Sequence, residues 1–351
     1  MNIFADKLRL PARRPHTIML YPFWGTNLEN REDPVSGRFD RYLQEGKRLF
    51  ALTPLDQAEV VVVPHEWVAG DANAAARQAI DEAGKAGKQA ALFFNHDSEE
   101  DIDVENTLVF RTSFRRSRRK ANEFAFMVWS EDFVERYLGG DLVMRKKGPK
   151  PVVGYCGYAA LGQVRQERLV GSLRKVRGAS RVLNRLKIGI DGTVGMRLRS
   201  EAVARLAASR QVETNFLLRR AFWNGAAAGD FTGMEQSRRE FVQNMVGSDY
   251  ILCIRGAGNF SYRLYETLCC GRIPVFVDTD CVLPYERWID WRRHCVWVKE
   301  KDLPHIAERV AEFHGRLTEQ EFEDRQRACR EVWEEWLSPV GYFENFYRHF
   351  E

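Results

Sequence analysis

The stretch Tyr250–Asp280, YILCIRGAGNFSYRLYETLCCGRIPVFVDTD, constrains the fold more than any other part of this 351-residue chain. An apolar run, Tyr250 to Ile254, leads into the glycine-bearing loop Arg255-Gly256-Ala257-Gly258. A helix-like stretch follows from Ser261 to Cys270, and Gly271 opens a second apolar run, Ile273–Val277. A strand–loop–helix–strand order of this kind builds parallel sheets. It puts the loop after a strand and ahead of a helix N-terminus, where backbone N–H groups and the helix dipole attract anions. Arg255 and Arg263 flank that position, and Glu266 lies one helical turn beyond Arg263. Glycine for close backbone approach, arginine for phosphate oxygens and carboxylate for sugar hydroxyls describe a site for a nucleoside diphosphate. Strand–Gly–helix turns also occur in α/β proteins that bind no nucleotide, and a lone G-x-G does not decide between them.

The rest of the chain extends the alternation. Apolar runs at Thr17–Phe23, Val60–Val63, Ala90–Phe94, Leu108–Phe110 and Ala125–Trp129 are interleaved with helical patterns at Phe39–Ala51 and Ala72–Ala86. Alternation of this type predicts a parallel sheet covered on both faces. Gly139-Gly140 and Lys146–Pro151 make the best linker, and a second alternating set runs from Val152–Cys156 to Val296–Val298. The expected organisation is an N-terminal Rossmann-like domain over 1–148, a C-terminal one over 149–335, and a terminal helix, 336–351, returning to the first. Hydrophobic residues at 44% and charged residues at 29% fit a soluble protein with ordinary cores, and no apolar run approaches the roughly 20 residues of a membrane span. The odd set of seven cysteines contains no C-x-x-C pair, so reduced, buried thiols are expected and a structural zinc site is not.

The pattern C-x-R-G-x-G-x-x-S-x-R-L-x-E-x-L-x-x-G-x-I-P-V in Cys253–Val275 resembles the signature of the exostosin-like glycosyltransferases, family 47. The likeness continues into Val282-Leu283-Pro284-Tyr285 and Trp288-Ile289-Asp290-Trp291. Upstream it is looser but in the right order. Asp56–Pro64 keeps the family's alanine, acid, apolar run and proline, Phe93–Asp97 is similar to a central strand ending in His-Asp, and Arg197 to Leu206 to a basic helix. The resemblance implies a GT-B fold, two doubly wound α/β domains facing across a cleft, with the donor on the C-terminal domain and the acceptor on the N-terminal one. It implies an inverting transfer from a nucleotide sugar, a UDP-sugar first, to a hydroxyl of a glycan or lipid-linked oligosaccharide in surface polysaccharide synthesis. The rival is a nucleotide- or carbohydrate-binding subunit without turnover, which the donor motif alone does not exclude. Animal and plant members sit in the Golgi behind a membrane anchor. MNIFADKLRLPARRPH has no such apolar core, so a bacterial-type, cytoplasmic form at most peripheral to the inner membrane is expected.

On this reading Arg255, Gly256, Gly258, Ser261, Arg263 and Glu266 form the donor site. The arginines would meet charge building on the leaving diphosphate, Glu266 would accept from ribose hydroxyls, and Ser261 would cap the helix or donate to a phosphate. Salt bridges to Glu266 or Asp278 are the structural alternative for the arginines. Asp278-Thr279-Asp280 matches the D-x-D of metal-dependent transferases, but arginines and a helix terminus already supply positive charge here, so neither a metal nor another cofactor is expected. The base that takes the acceptor proton should follow an N-terminal-domain strand: His65 and Glu66 after one, His96 and Asp97 after the next. Asp97 is the first choice and His65 the second. Two basic stretches, Arg115–Lys120 and the series Arg165 to Lys187, read as solvated faces or as contacts for an anionic acceptor or membrane surface. No nucleic-acid-binding motif accompanies them, so nucleic acid is not an expected partner.

Overall fold

Apolar runs such as Val60–Val62 and Ile273–Asp278 are buried almost from end to end and form interior strands, as a sheet covered on both faces requires. The computed structural model describes residues 1–12, 14–27, 30–159, 190–219, 226–227 and 229–351. They fall into two units. Unit 1 comprises Met1–Asp132, Asp280–Ile289 and Glu331–Glu351, and unit 2 comprises Phe133–Thr279 and Asp290–Arg330.

In unit 1 the strands are β1 (Asn2–Phe4), β2 (Ala51–Leu52), β3 (Val60–Val62), β4 (Gln89–Phe94), β5 (Thr107–Arg111) and β6 (Glu123–Ala125). Every pairing is parallel, in the order β2-β1-β3-β4-β5-β6. Helix α1 (Asp40–Leu49) sends Tyr42 onto Phe343, with ring centroids 4.7 Å apart. Phe346 reaches Phe110 at 4.7 Å, and the Tyr342 hydroxyl donates to the Ala125 carbonyl, so the 339–346 segment belongs to this core. Helix α2 (Ala74–Lys85) covers Val61, Ala90, Leu92 and Val109 with Ala76, Ile80 and Ala83. The run Thr17–Phe23 forms helical turns, Ile18–Leu20 and Tyr21–Trp24, instead of a strand. Pro22, at the start of the second turn, has no N–H to give a sheet ladder and suits a first helical turn.

In unit 2, β7 (Val152–Tyr158), β8 (Glu213–Arg219), β9 (Tyr250–Cys253), β10 (Ile273–Asp278) and β11 (Val296–Lys299) form a second all-parallel sheet. Its order is β11-β10-β9-β7-β8. Helices α3 (Ile190–Ala208), α4 (Phe231–Val246) and α5 (Tyr262–Cys269) connect these strands. Arg272, fully buried ahead of β10, fixes the turn out of α5. Its guanidinium donates to the carbonyls of Gly271, Val143 and Val246 and to Gln326 Oε1. An α/β, two-domain Rossmann-like architecture, consistent with the expected GT-B arrangement, is thus present.

Each sheet reverses its order once. The chain leaves β1 for β2 on one side and comes back to β3 on the other, and it leaves β7 for β8 and comes back to β9. Loops leaving such a pair of neighbouring strands run in opposite directions and open a crevice at the strands' C-terminal ends, where doubly wound sheets bind ligands.

Candidate functional site

The glycine-bearing loop lies at the reversal between β7 and β9. It leaves β9, closes through a Gly256 N–H bond to the Phe260 carbonyl at 3.1 Å, and enters α5. Neither Gly256 nor Gly258 takes a positive φ, so left-handed backbone is not what glycine supplies here. The tighter demand falls on Gly195 in α3. A Cβ there would lie 2.4 Å from the Gly256 carbonyl oxygen and 2.8 Å from that of Arg255. Helix α3 therefore packs backbone to backbone on the loop.

Close packing of α3 brings in Arg199, a residue the sequence reading did not single out. Arg199 Nη2 donates to the Arg255 carbonyl at 3.1 Å. Burial lowers its pKa, and the Arg263 guanidinium nearby acts in the same direction. Arg263, in the first turn of α5, donates from Nη2 to the Cys156 carbonyl at 2.8 Å and lies over the Tyr155 ring at 4.6 Å. Its Nε is buried with no hydrogen-bond partner among the described residues. Gly157, with φ at +154°, makes room for it, because a Cβ would stand 3.0 Å from Arg263 Nη2. Arg255 is buried, with Nη2 donating to the Ala257 carbonyl at 2.8 Å. Ser261 holds the N-cap position of α5 without a side-chain capping bond.

Glu266 is buried and paired with Arg238 of α4 at 3.1 Å. The Arg238 guanidinium rests 4.5 Å from the Phe133 ring. Beside it Arg219, at the end of β8, pairs with Glu240 at 3.1 Å. Two arginines of this neighbourhood are thus balanced by carboxylates, whereas Arg263 and Arg199 bond backbone carbonyls, Arg199 also the Tyr155 side chain, and these neutral partners leave their charge unbalanced. Unbalanced guanidinium groups next to a helix N-terminus can hold a dianionic oxygen cluster, and planar N–H pairs match phosphate geometry.

The D-x-D carboxylates are engaged separately. Asp278 accepts from the Trp297 indole at 3.2 Å, and Thr279 donates to Asn259. Asp280, at φ +66°, accepts from the Ser117 amide and hydroxyl within unit 1. Among the described residues no group of three or more His, Cys, Asp and Glu side chains could hold a metal ion, and all seven cysteines are buried and free.

In unit 1, His65 and Glu66 follow β3, at the reversal between β1 and β3. His65 is fully buried, its Nδ1 bonds the Glu66 carbonyl at 3.0 Å, and its Nε2 has no partner among the described residues. A carbonyl only accepts, so Nδ1 carries the proton and Nε2 the lone pair. Burial lowers the His65 pKa and pushes the Glu66 carboxyl up to about 7. Asp97 is exposed on the loop after β4, one strand away from the reversal. That loop is firmly built: Arg111, in a buried pair with Glu123 at 2.7 Å, donates to the carbonyls of Ser98 and Glu100.

The run Arg115–Lys120 is largely neutralised. Arg115 pairs with Glu99, Arg116 and Arg119 with Glu286, and Lys120 with Asp101. The acidic stretch at Glu99–Asp103 is therefore partly a set of partners for it, with Glu100 also taking the Trp67 indole proton. The series Arg165 to Lys187 lies outside the described residues.

Residues 206–313 match the family described as the Exostosin GT47 domain. An Exostosin-1 homolog of Caenorhabditis elegans is 27% identical over 106 residues, covering 30% of this chain and 27% of that protein. A probable glucuronosyltransferase of Oryza sativa subsp. japonica and a probable beta-1,4-xylosyltransferase of Arabidopsis thaliana are each 36% identical over 66 residues, 19% of this chain and 16% of theirs. The matched region thus spans about a quarter of the first relative's length and less of the other two.

Proposed function

We propose that this chain, with its exostosin GT47 domain, is a glycosyltransferase that takes a sugar from a nucleoside diphosphate and passes it to a glycan hydroxyl. What supports the reading most is the arginine cluster at the C-terminal ends of β7 and β9. As the bond from the sugar's anomeric carbon to the diphosphate breaks, charge builds on the leaving oxygen. Arg199, Arg255, Arg263 and the first N–H groups of α5 offer fixed donors to it without reorganisation. Gly256 and Gly258 keep side chains out of the path, Ser261 offers a further hydroxyl, and Glu266, held by Arg238, stands one turn away for the ribose. In our reading the donor is a UDP-sugar, no divalent ion is needed, and the acceptor belongs to a surface polysaccharide or its lipid-linked precursor. Unit 1 would bind that acceptor and supply the base, with Asp97, His65 and Glu66 as the groups available at its strand ends. The neutralised Arg115–Lys120 run lends no support to a membrane-facing patch, and among the described residues no helix is long and apolar enough to cross a membrane.

Thermal shift with UDP, GDP and CMP, in the presence and absence of chelator, tests this. A ligand that binds only the folded state raises the melting temperature. UDP should do so with or without chelator, and Arg263→Ala should abolish most of the shift. No shift with any nucleotide would remove the donor site from the reading. A UDP shift that requires added magnesium or manganese would overturn its metal-free part.

A further inference from the structure

The two reversals in strand order are equivalent positions in two sheets of the same kind, so the geometry that points to β7 and β9 in unit 2 also points to β1 and β3 in unit 1. The chain leaves β3 through Val63 and Pro64 into His65 and Glu66. This exit is tied down on both sides. The Thr17 N–H donates to the Pro64 carbonyl at 3.0 Å, and the Trp67 N–H donates to the Phe93 carbonyl at 2.8 Å. The Trp67 ring is itself held by Glu100 and lies under the Arg77 guanidinium at 5.0 Å. Between these anchors His65 Nδ1 grips the Glu66 backbone.

Glu66 is partly buried, and among the described residues no hydrogen bond or ion pair is seen at its carboxylate. Drawing an unpartnered carboxylate partly out of water raises its proton affinity while leaving it open to a substrate, and such groups concentrate where proton transfer is needed. We propose that Glu66 is the catalytic base of the transfer, with His65 as its positioning residue. The proposal rests on the glycosyltransferase reading given above. In the step, an acceptor hydroxyl oxygen forms a bond to the anomeric carbon as the carbon–oxygen bond to the diphosphate breaks. That bond's electron pair stays on the leaving phosphate. The hydroxyl proton goes to the Glu66 carboxylate, which later releases it to water.

Its neighbours in the strand-end set fit the task less well. His65 Nε2 is sealed from solvent, and no substrate hydroxyl meets it without the segment opening. Asp97 follows β4 rather than a strand at the reversal. The tuning is also specific to Glu66. Burial alone raises its carboxyl to about 7, while the Arg14 and Asp71 charges bear on His65. A base with a pKa near the working pH combines ionised form with proton affinity.

The test uses water as the acceptor, so the natural glycan need not be known. Release of UDP from UDP-glucuronic acid and UDP-xylose is followed between pH 5.5 and pH 8.5 for the intact chain and for Glu66→Gln, Asp97→Asn and His65→Gln. The intact chain should gain hydrolysis with pH through about 7. Glu66→Gln should lose roughly 10²–10⁴-fold of it with an unchanged UDP thermal shift. Asp97→Asn should keep the pH profile, and His65→Gln should move it. Independently of turnover, the carboxyl ¹³C signal that disappears in Glu66→Gln should titrate near 7 in the intact chain. Wild-type rates in Glu66→Gln, or a titration at the ordinary value of about 4.5, overturns the assignment. Failure of UDP to bind the intact chain would instead strike the donor reading and leave the titration to judge Glu66.

Discussion

The two reversal points share one topology and carry opposite chemistry. In unit 2 the crevice position is furnished with guanidinium groups that do not change charge at any working pH. In unit 1 it carries a carboxyl and an imidazole, both displaced by burial from their ordinary pKa values. A parallel doubly wound sheet therefore fixes where a ligand goes and leaves open what the site does there. On the proposed reading, one end would hold negative charge and the other move a proton. The same contrast separates two groups of arginines. Those of the Arg115–Lys120 run find carboxylates close by, whereas Arg199 and Arg263 find backbone carbonyls. Density of positive charge along the sequence is thus a poor guide to positive charge available to a ligand.

The sharpest way to break this comparison is through stability against pH. The Glu66 carboxyl sits at about 7 in the folded chain against an ordinary 4.5. Over that window the folded state holds a proton that the unfolded state has released. The stability this contributes is complete below about 4.5 and is lost as pH rises through 7. Gln does not titrate, so Glu66→Gln should gain on the intact chain between pH 4.5 and pH 8, by an amount on the order of 3 kcal/mol. Urea midpoints at the two pH values measure it. An identical difference at both would mean that the carboxyl is not held in the way described.

A smaller effect is expected at the other reversal. Arg263→Ala and Arg199→Ala should each weaken UDP binding by roughly 1.5–3 kcal/mol, the range for hydrogen bonds to charged groups, read by calorimetry. If Arg199→Ala alone leaves affinity intact, its role ends at gripping the Arg255 carbonyl. The smallest effect belongs to the paired run. Arg116→Ala should change stability by about 0–1 kcal/mol, as for exposed ion pairs, and leave UDP affinity untouched. A large loss of UDP affinity in this variant would erase the distinction between the two arginine groups.

β9 and β10 of unit 2 were legible because they are apolar runs bounded by glycine and turn residues, and the loop between them carries its own chemical signature, whereas β8, partly exposed along its length, was not. β1 escaped notice because it is only Asn2–Phe4, a strand defined by two neighbours and not by its own pattern. Thr17–Phe23 looked like a strand because apolar content outweighed one proline. Arg199 was visible only as part of a basic helix. Its place depends on Gly195 letting α3 close on the loop, which is a tertiary fact. Glu66 stood among the sequence candidates, but a carboxylate half out of water with no bond seen at it cannot be read from residue order.

The connectivity also bears on how the chain is made. It passes between the units after residues 132, 279, 289 and 330, so unit 2 is complete once Arg330 has been synthesised. Unit 1 is begun before unit 2 and finished after it. Its β-sheet leaves the ribosome early, but Phe343 and Phe346, which cover Tyr42, Phe93 and Phe110, and Tyr342, which bonds the Ala125 carbonyl, arrive only after unit 2 is complete. Synthesis at roughly 5–20 residues per second leaves that aromatic face uncovered for many seconds. During translation, the early-made half is the one a holding chaperone would have reason to grip.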